Sequence, residues 1–217
     1  MVNPAIKAVV WDFGGVITSS PFDAFNAYEA ERGLPKDIIR TINSKNPDTN
    51  AWARLERSEV TAEEFDTVFA EEAKALGYDI PGKDILALLS GRLRPRVVAA
   101  LKKCKAHFKV GCITNNAPVG KGASMTSDDD KARQVAEVFE TFEHVIESSK
   151  AGVRKPDPLI YKMMCEALDI SPDTCVYLDD LGINLKPARE MGMTTIKVLN
   201  EDQLLSDLEK ATGLTFA

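Results

Sequence analysis

The chain has 217 residues, 44% hydrophobic and 28% charged, with a formal net charge of -6. That composition suits one α/β core with a small accessory unit, and no long run of Lys or Arg offers a surface to duplex nucleic acid or to an anionic membrane. Cys104, Cys112, Cys165 and Cys175 show no C-x-x-C spacing and lie in apolar segments, so they read as reduced core residues. The N-terminus has no basic region followed by an apolar stretch, and no apolar run approaches the ~20 residues that span a bilayer. A cytoplasmic protein without stable membrane association is expected; the oligomeric state is not legible. Only His107 and His144 could supply imidazole, each just before an apolar segment, which speaks against a Ser-His-Asp triad or a His-rich zinc site.

In chain order, the run Ile6 to Trp11 predicts a buried strand that ends on Asp12, followed by Phe13-Gly14-Gly15-Val16. Ser20 caps a predicted helix opening at Pro21 and running to Gly33, with Phe22 and Phe25 on one side. Thr61-Ala62-Glu63-Glu64 is a capping box, followed by Phe65, Val68, Phe69 and Leu76 at helical spacing. No strand pattern interrupts residues 21 to about 90. The expected arrangement is a helical bundle, residues 19–92, inserted into a core made of residues 1–18 and 93–217. Phe22, Phe25, Trp52, Phe65 and Phe69 are assigned to the core of that bundle.

After Arg94-Pro95 a helix carrying Val97, Val98 and Leu101 leads to a second strand over 108–113, ending on Thr114-Asn115-Asn116. Residues 118–130, rich in Gly, Ser and Asp, predict a long mobile loop. His144 to Glu147 forms a third strand. Asp157 caps a helix from Pro158 whose Ile160, Met163, Met164, Ala167 and Leu168 share one face. Cys175 to Leu178 forms a fourth strand before Asp179-Asp180, a helix spans Lys186 to Met191 and stops at Gly192, and Thr194 to Val198 forms a fifth strand. Asn200 with Gln203 opens the last helix. Strands alternating with helices imply a doubly wound parallel sheet covered on both faces.

The loops after parallel strands converge on one edge, which gathers Asp12, Thr114, Asn115, Asp179 and Asp180. Three converging carboxylates repel one another and require a cation. Lys155 supplies one positive charge; an oxygen-only ligand set without His or Cys suits Mg²⁺ for the rest. Asp12 can then act both as metal ligand and as nucleophile toward phosphorus. Thr114 and Asn115 are neutral donors for phosphoryl oxygens, Lys155 neutralises charge on nucleophile and transferred group, and the lack of side chains at Gly14 and Gly15 lets the backbone crowd the ligand. Each fragment alone also fits a strand exit or a helix start. Their conjunction, in this order and each after a strand, is what carries the assignment.

The segments Val-Val-Trp-Asp-Phe-Gly-Gly-Val, Cys-Ile-Thr-Asn-Asn, Gly-Val-Arg-Lys-Pro-Asp-Pro and Val-Tyr-Leu-Asp-Asp-Leu-Gly-Ile-Asn resemble the haloacid dehalogenase-like superfamily of phosphohydrolases. From His144 onward the chain is most similar to the amino-terminal phosphatase domain of soluble epoxide hydrolases. The resemblance implies a Rossmann-like core with a helical cap inserted after the first motif. It further implies that Asp12 is nucleophile and metal ligand, that the Gly14 carbonyl is a metal ligand, and that Thr114 and Asn115 hold phosphate. Lys155 would be the charge-neutralising lysine, and Asp180, with Asp179 beside it, would hold Mg²⁺. The separate, larger domain that opens epoxides in those proteins has no counterpart within 217 residues, so epoxide hydrolysis is not expected of this chain.

One position departs from the pattern. The family's first motif carries a second aspartate, the general acid and base, where this chain has Gly14. Loss of that help, typically ~10²–10⁴-fold, predicts slow turnover of a small or lipid phosphate ester. Two other readings compete: a 2-haloacid dehalogenase, which needs neither acid nor metal but does not account for Asp179-Asp180, and a protein that binds a phospho-ligand without turning it over.

Overall fold

The computed structural model describes residues 2–117, 119–120, 125–126 and 128–216. Among them, five parallel strands, β1 (Ala8–Trp11), β2 (Lys109–Thr114), β3 (His144–Glu147), β4 (Cys175–Asp179) and β5 (Thr194–Lys197), form one sheet in the order β3-β2-β1-β4-β5. β1 lies at the centre and is buried along its whole length, as its unbroken apolar run requires.

The pleat sends alternate residues to two cores. Val9, Trp11, Val110, Cys112, Val176 and Leu178 pack on one face against α6 (Pro95–Lys105), α7 (Asp129–Phe139) and α11 (Glu201–Thr212). Ala8, Val10, Ile113, Ile146 and Tyr177 pack on the other against α9 (Pro158–Leu168) and α10 (Gly182–Glu190). Gly111 permits that second layer, because a Cβ there would lie 2.5 Å from the Met164 sulfur. Met163 and Met164 belong to this core, all four cysteines are free and buried, and His107 and His144 are at the surface.

Between β1 and β2 run α1 (Pro21–Glu31), α2 (Ile38–Ser44), α3 (Ala51–Glu56), α4 (Ala62–Ala75) and α5 (Gly82–Ala87). They close around a third core that includes Phe25, Ile39, Leu55, Phe65 and Phe69, with Phe22 and Trp52 packed at its margin. The expected caps are all present: Ser20 accepts from the Phe22 amide, Thr61 and Glu64 exchange both bonds of a capping box, Asp157 accepts from Leu159 and Asn200 from Gln203. The two ends of the helical segment meet where Thr18 bridges Leu93 and the Ser19 amide donates to the Arg92 carbonyl at 2.8 Å.

Most boundaries shift by one or two residues from the sequence reading, and two depart further. α10 starts at Gly182 rather than near Lys186, because the Asp179 carboxylate accepts the Leu181 amide at 2.8 Å and the Asn184 side chain, organising the first turn from before it. The stretch 118–130, expected as a mobile loop, lies partly outside the described residues. Where it is described, Val119 and Met125 pack with buried Ala117 against the helical core, and α7 already begins at Asp129. A short α8 (Ser148–Ala151) follows β3 directly.

Candidate active site

The strand order reverses between β1 and β4: the chain leaves β1 for one side of the sheet and β4 for the other. The loops after these two strands therefore diverge and leave a crevice at their carboxyl ends. Asp12 follows β1 and Asp179 closes β4, and the Asp12 amide donates to the Leu178 carbonyl at 2.8 Å, pinning the two edges together.

The backbone after Asp12 makes one wide turn over Phe13–Ile17, closed by the Thr18 amide on the Phe13 carbonyl. Asp12 Oδ1 caps it by accepting the Phe13 amide at 2.6 Å. Gly15 adopts φ 79°, and a Cβ there would lie 2.2 Å from Asp180 Oδ2, so this glycine is what admits the second acidic loop. Its carbonyl accepts from Arg94 at 2.9 Å. Gly14 is different: its φ of -69° and ψ of 127° are open to any residue, and nothing lies within 4 Å of where its Cβ would be.

Lys155 Nζ sits 2.8 Å from Asp12 Oδ1 and 2.8 Å from Asp179 Oδ2, with all three side chains buried. Burial disfavours its charge, but the two carboxylates outweigh that and hold the ammonium above its ordinary range. Asp179 is saturated. Besides Lys155, Oδ2 accepts the Tyr177 hydroxyl at 2.5 Å, Oδ1 accepts the Leu181 amide, and the Asn184 amide reaches both oxygens at 3.0 and 3.1 Å. Asp12 has one such oxygen only; among the described residues Oδ2 has no hydrogen-bond partner.

Asp180 completes the acidic set: Asp12, Asp179 and Asp180 each offer an oxygen within 4.8 Å of the others. Burial, with Asp179 and Asp180 adding to it, raises the Asp12 carboxyl well above its ordinary value against the pull of Lys155. Burial and the charge of Asp179 raise Asp180 to about 6. One lysine thus leaves this pocket short of positive charge, and the all-oxygen donor set fits a hard divalent cation such as Mg²⁺.

The remaining expected residues divide. Thr114 ends β2, buried, and its hydroxyl has no hydrogen-bond partner among the described residues, which leaves it available to a ligand. Asn115 is turned toward the protein: its side-chain oxygen accepts the Lys155 amide at 2.9 Å and its nitrogen donates to the Lys155 carbonyl at 3.0 Å. Only one N–H of that amide is left over, so its first role is to clamp the main chain that carries the lysine. Asn116 repeats the device one residue on, bonding Glu147, Ser148 and Ser149. Tyr177, Asn184 and Arg94 were not anticipated from sequence; the only local hint was Asn184, two residues into the helix that follows the paired aspartates.

Residues 6–192 match the model of the haloacid dehalogenase-like hydrolase family. The chain belongs to that family. It is 32% identical over 97% of its length to bifunctional epoxide hydrolase 2 of Sus scrofa, of which it spans 39%, and 29% identical over 87% of its length to a phosphatase of Mycobacterium tuberculosis, of which it spans 85%. The chain thus spans about two fifths of the epoxide hydrolase it matches. A family enzyme from Bacteroides thetaiotaomicron, solved with magnesium and inorganic phosphate, superimposes with a TM-score of 0.58 at 21% identity, over 89% of this chain and 94% of that one, and supports the fold of this haloacid dehalogenase-like hydrolase. No helix among the described residues is long and apolar enough to cross a membrane.

Proposed function

We propose that this hydrolase is a Mg²⁺-dependent phosphatase that dephosphorylates a small or lipid phosphomonoester through an aspartyl-phosphate on Asp12, and that it is slow because position 14 is glycine. The observation that carries the reading is the lysine shared between Asp12 and Asp179 at 2.8 Å each, beside a third carboxylate. This is an anionic acceptor in a pocket that needs one more cation, as phosphoryl transfer does. The relative named a phosphatase, and the neighbour bound to magnesium and phosphate, support the same choice.

In the first displacement an Asp12 carboxylate oxygen forms a bond to phosphorus as the ester P–O bond breaks. Lys155 balances charge on Asp12 and on the transferred group, and Thr114 donates to a phosphoryl oxygen. Asp12, Asp180 and the Gly14 carbonyl are the ligands we assign to Mg²⁺; Asp179, whose oxygens are already engaged, holds Lys155 and supports the set. Mg²⁺, when bound, would neutralise charge on the phosphoryl oxygens and hold them against Asp12. With no carboxyl at position 14, the leaving oxygen takes its proton from solvent water, which is left as hydroxide. A second water then attacks phosphorus and releases a proton that neutralises that hydroxide, the bond to Asp12 breaks, and inorganic phosphate leaves with Asp12 regenerated. The helical segment, residues 19–92, is the cap over this edge and Gly15 lies against the substrate side of the turn.

The test is phosphate release from a broad panel that includes p-nitrophenyl phosphate, with wild type and Asp12→Asn in parallel. Activity is expected with Mg²⁺, absent with EDTA, and absent in the variant. Metal-independent chloride release from 2-haloacids, or no turnover of any ester, would overturn the assignment.

A further inference from the structure

Arg154, immediately before the active-site lysine, pairs with a buried carboxylate that the proposed chemistry does not use. Its Nε lies 2.6 Å from Oε2 of Glu56, the last residue of α3, and its guanidinium also donates to the Pro47 carbonyl at 3.0 Å. The Glu56 side chain is only 6% exposed. Its carboxyl is raised by burial, against the pull of Arg154. Two residues on, the Ser58 hydroxyl donates to the Ser149 carbonyl at 2.6 Å. Residues 47–58 of the helical segment are thus fastened to residues 149–154 of the sheet domain by one ion pair and two hydrogen bonds.

Such a pair has a particular energetic shape. With the two segments apart both charges would be hydrated and cost little; docked as they are, the Glu56 carboxylate is buried and is tolerable only with its partner. Lys155, by contrast, keeps its own clamps through Asn115, Asp12 and Asp179, none of which involves the helical segment. Loss of the pair therefore leaves the phosphoryl-accepting groups in place and changes only how often the segment is docked beside them.

We infer that Glu56 and Arg154 are positioning residues that seat residues 47–58 against the loop that carries Lys155, and that they set apparent substrate affinity rather than the rate of phosphoryl transfer. The kinetic part of this rests on the phosphatase reading; the exchange measurement below does not. Glu56→Gln is expected to raise KM by roughly tenfold or more with kcat within about threefold, because the binding-competent fraction falls while the chemistry is intact. Arg154→Met should do the same, and the double variant should be no worse than the worse single one, since it leaves no unpaired buried charge.

Hydrogen exchange on wild-type protein supplies the second arm, free of any folding defect in a variant. Amides of 52–58 and of 149–154 should exchange together, and faster than those of β1 and β4. Independent exchange of the two segments, a fall in kcat at constant KM, or additive losses in the double variant would overturn the inference. If no ester is hydrolysed but the two segments still exchange as one, the phosphatase reading fails and the latch stands.

Discussion

The loops after β1 and β4 both carry aspartates into the same crevice, yet they are built in opposite ways. At the β4 edge Asp179 is fully buried and both of its oxygens are engaged, by Tyr177, Leu181, Asn184 and Lys155. At the β1 edge Asp12 commits one oxygen and leaves the other without a partner, and the next-but-one residue has no side chain at all. The first edge is a frame with redundant supports; the second is an acceptor with open coordination. Reactivity belongs where donors are missing, since an oxygen already accepting three hydrogen bonds is a poor nucleophile.

Lys155 is the side chain that bonds the carboxylates of both edges, and removing it should have the largest effect. Lys155→Met leaves Asp12 and Asp179 buried side by side with no cation between them. A loss of about 3–5 kcal/mol in urea unfolding measured in EDTA is expected, together with loss of phosphatase activity. Mg²⁺ should restore part of the stability and none of the activity. A variant as stable as wild type in EDTA would mean that the two edges are not coupled through this lysine.

Much of this frame was legible in the sequence, because strand ends and helix caps are local. Asp12, Thr114 and Asp179 fall at the ends of apolar runs, and Ser20, Thr61, Asp157 and Asn200 precede helices within three residues of the amides they cap. The order of strands then fixes which ends meet. What was not legible is which way a polar side chain turns once it arrives. Asn115 was assigned to phosphate and is bonded to the main chain of Lys155, 40 residues away; Arg94 reaches the Gly15 carbonyl across 79. Neither pairing leaves a periodic trace, and the helical segment's Glu56 resembles any helix-terminal glutamate until its partner is seen.

Gly14→Asp tests the open edge directly. The backbone there is already in a region that aspartate adopts, and its Cβ would meet nothing within 4 Å, so the substitution adds a carboxyl without strain. Hydrolysis of an alkyl phosphate, whose leaving oxygen needs a proton, should rise by roughly 10²–10⁴-fold, and that of p-nitrophenyl phosphate far less. An equal change for both substrates would place the slow step elsewhere than in proton transfer.

The frame side should respond least, because its supports are redundant. Tyr177→Phe deletes the 2.5 Å hydrogen bond to Asp179 Oδ2 but leaves that carboxylate with Lys155, the Leu181 amide and Asn184. A charge-assisted bond of this kind is worth about 1.5–3 kcal/mol, and with three other partners retained the lower end applies. Unfolding should therefore shift by about 1.5 kcal/mol, and kcat should fall less than tenfold. A collapse of activity at near-normal stability would show that the tyrosine hydroxyl sets the charge on Asp179, and through Lys155 on Asp12, which would make the β4 edge part of the reactive apparatus rather than its support.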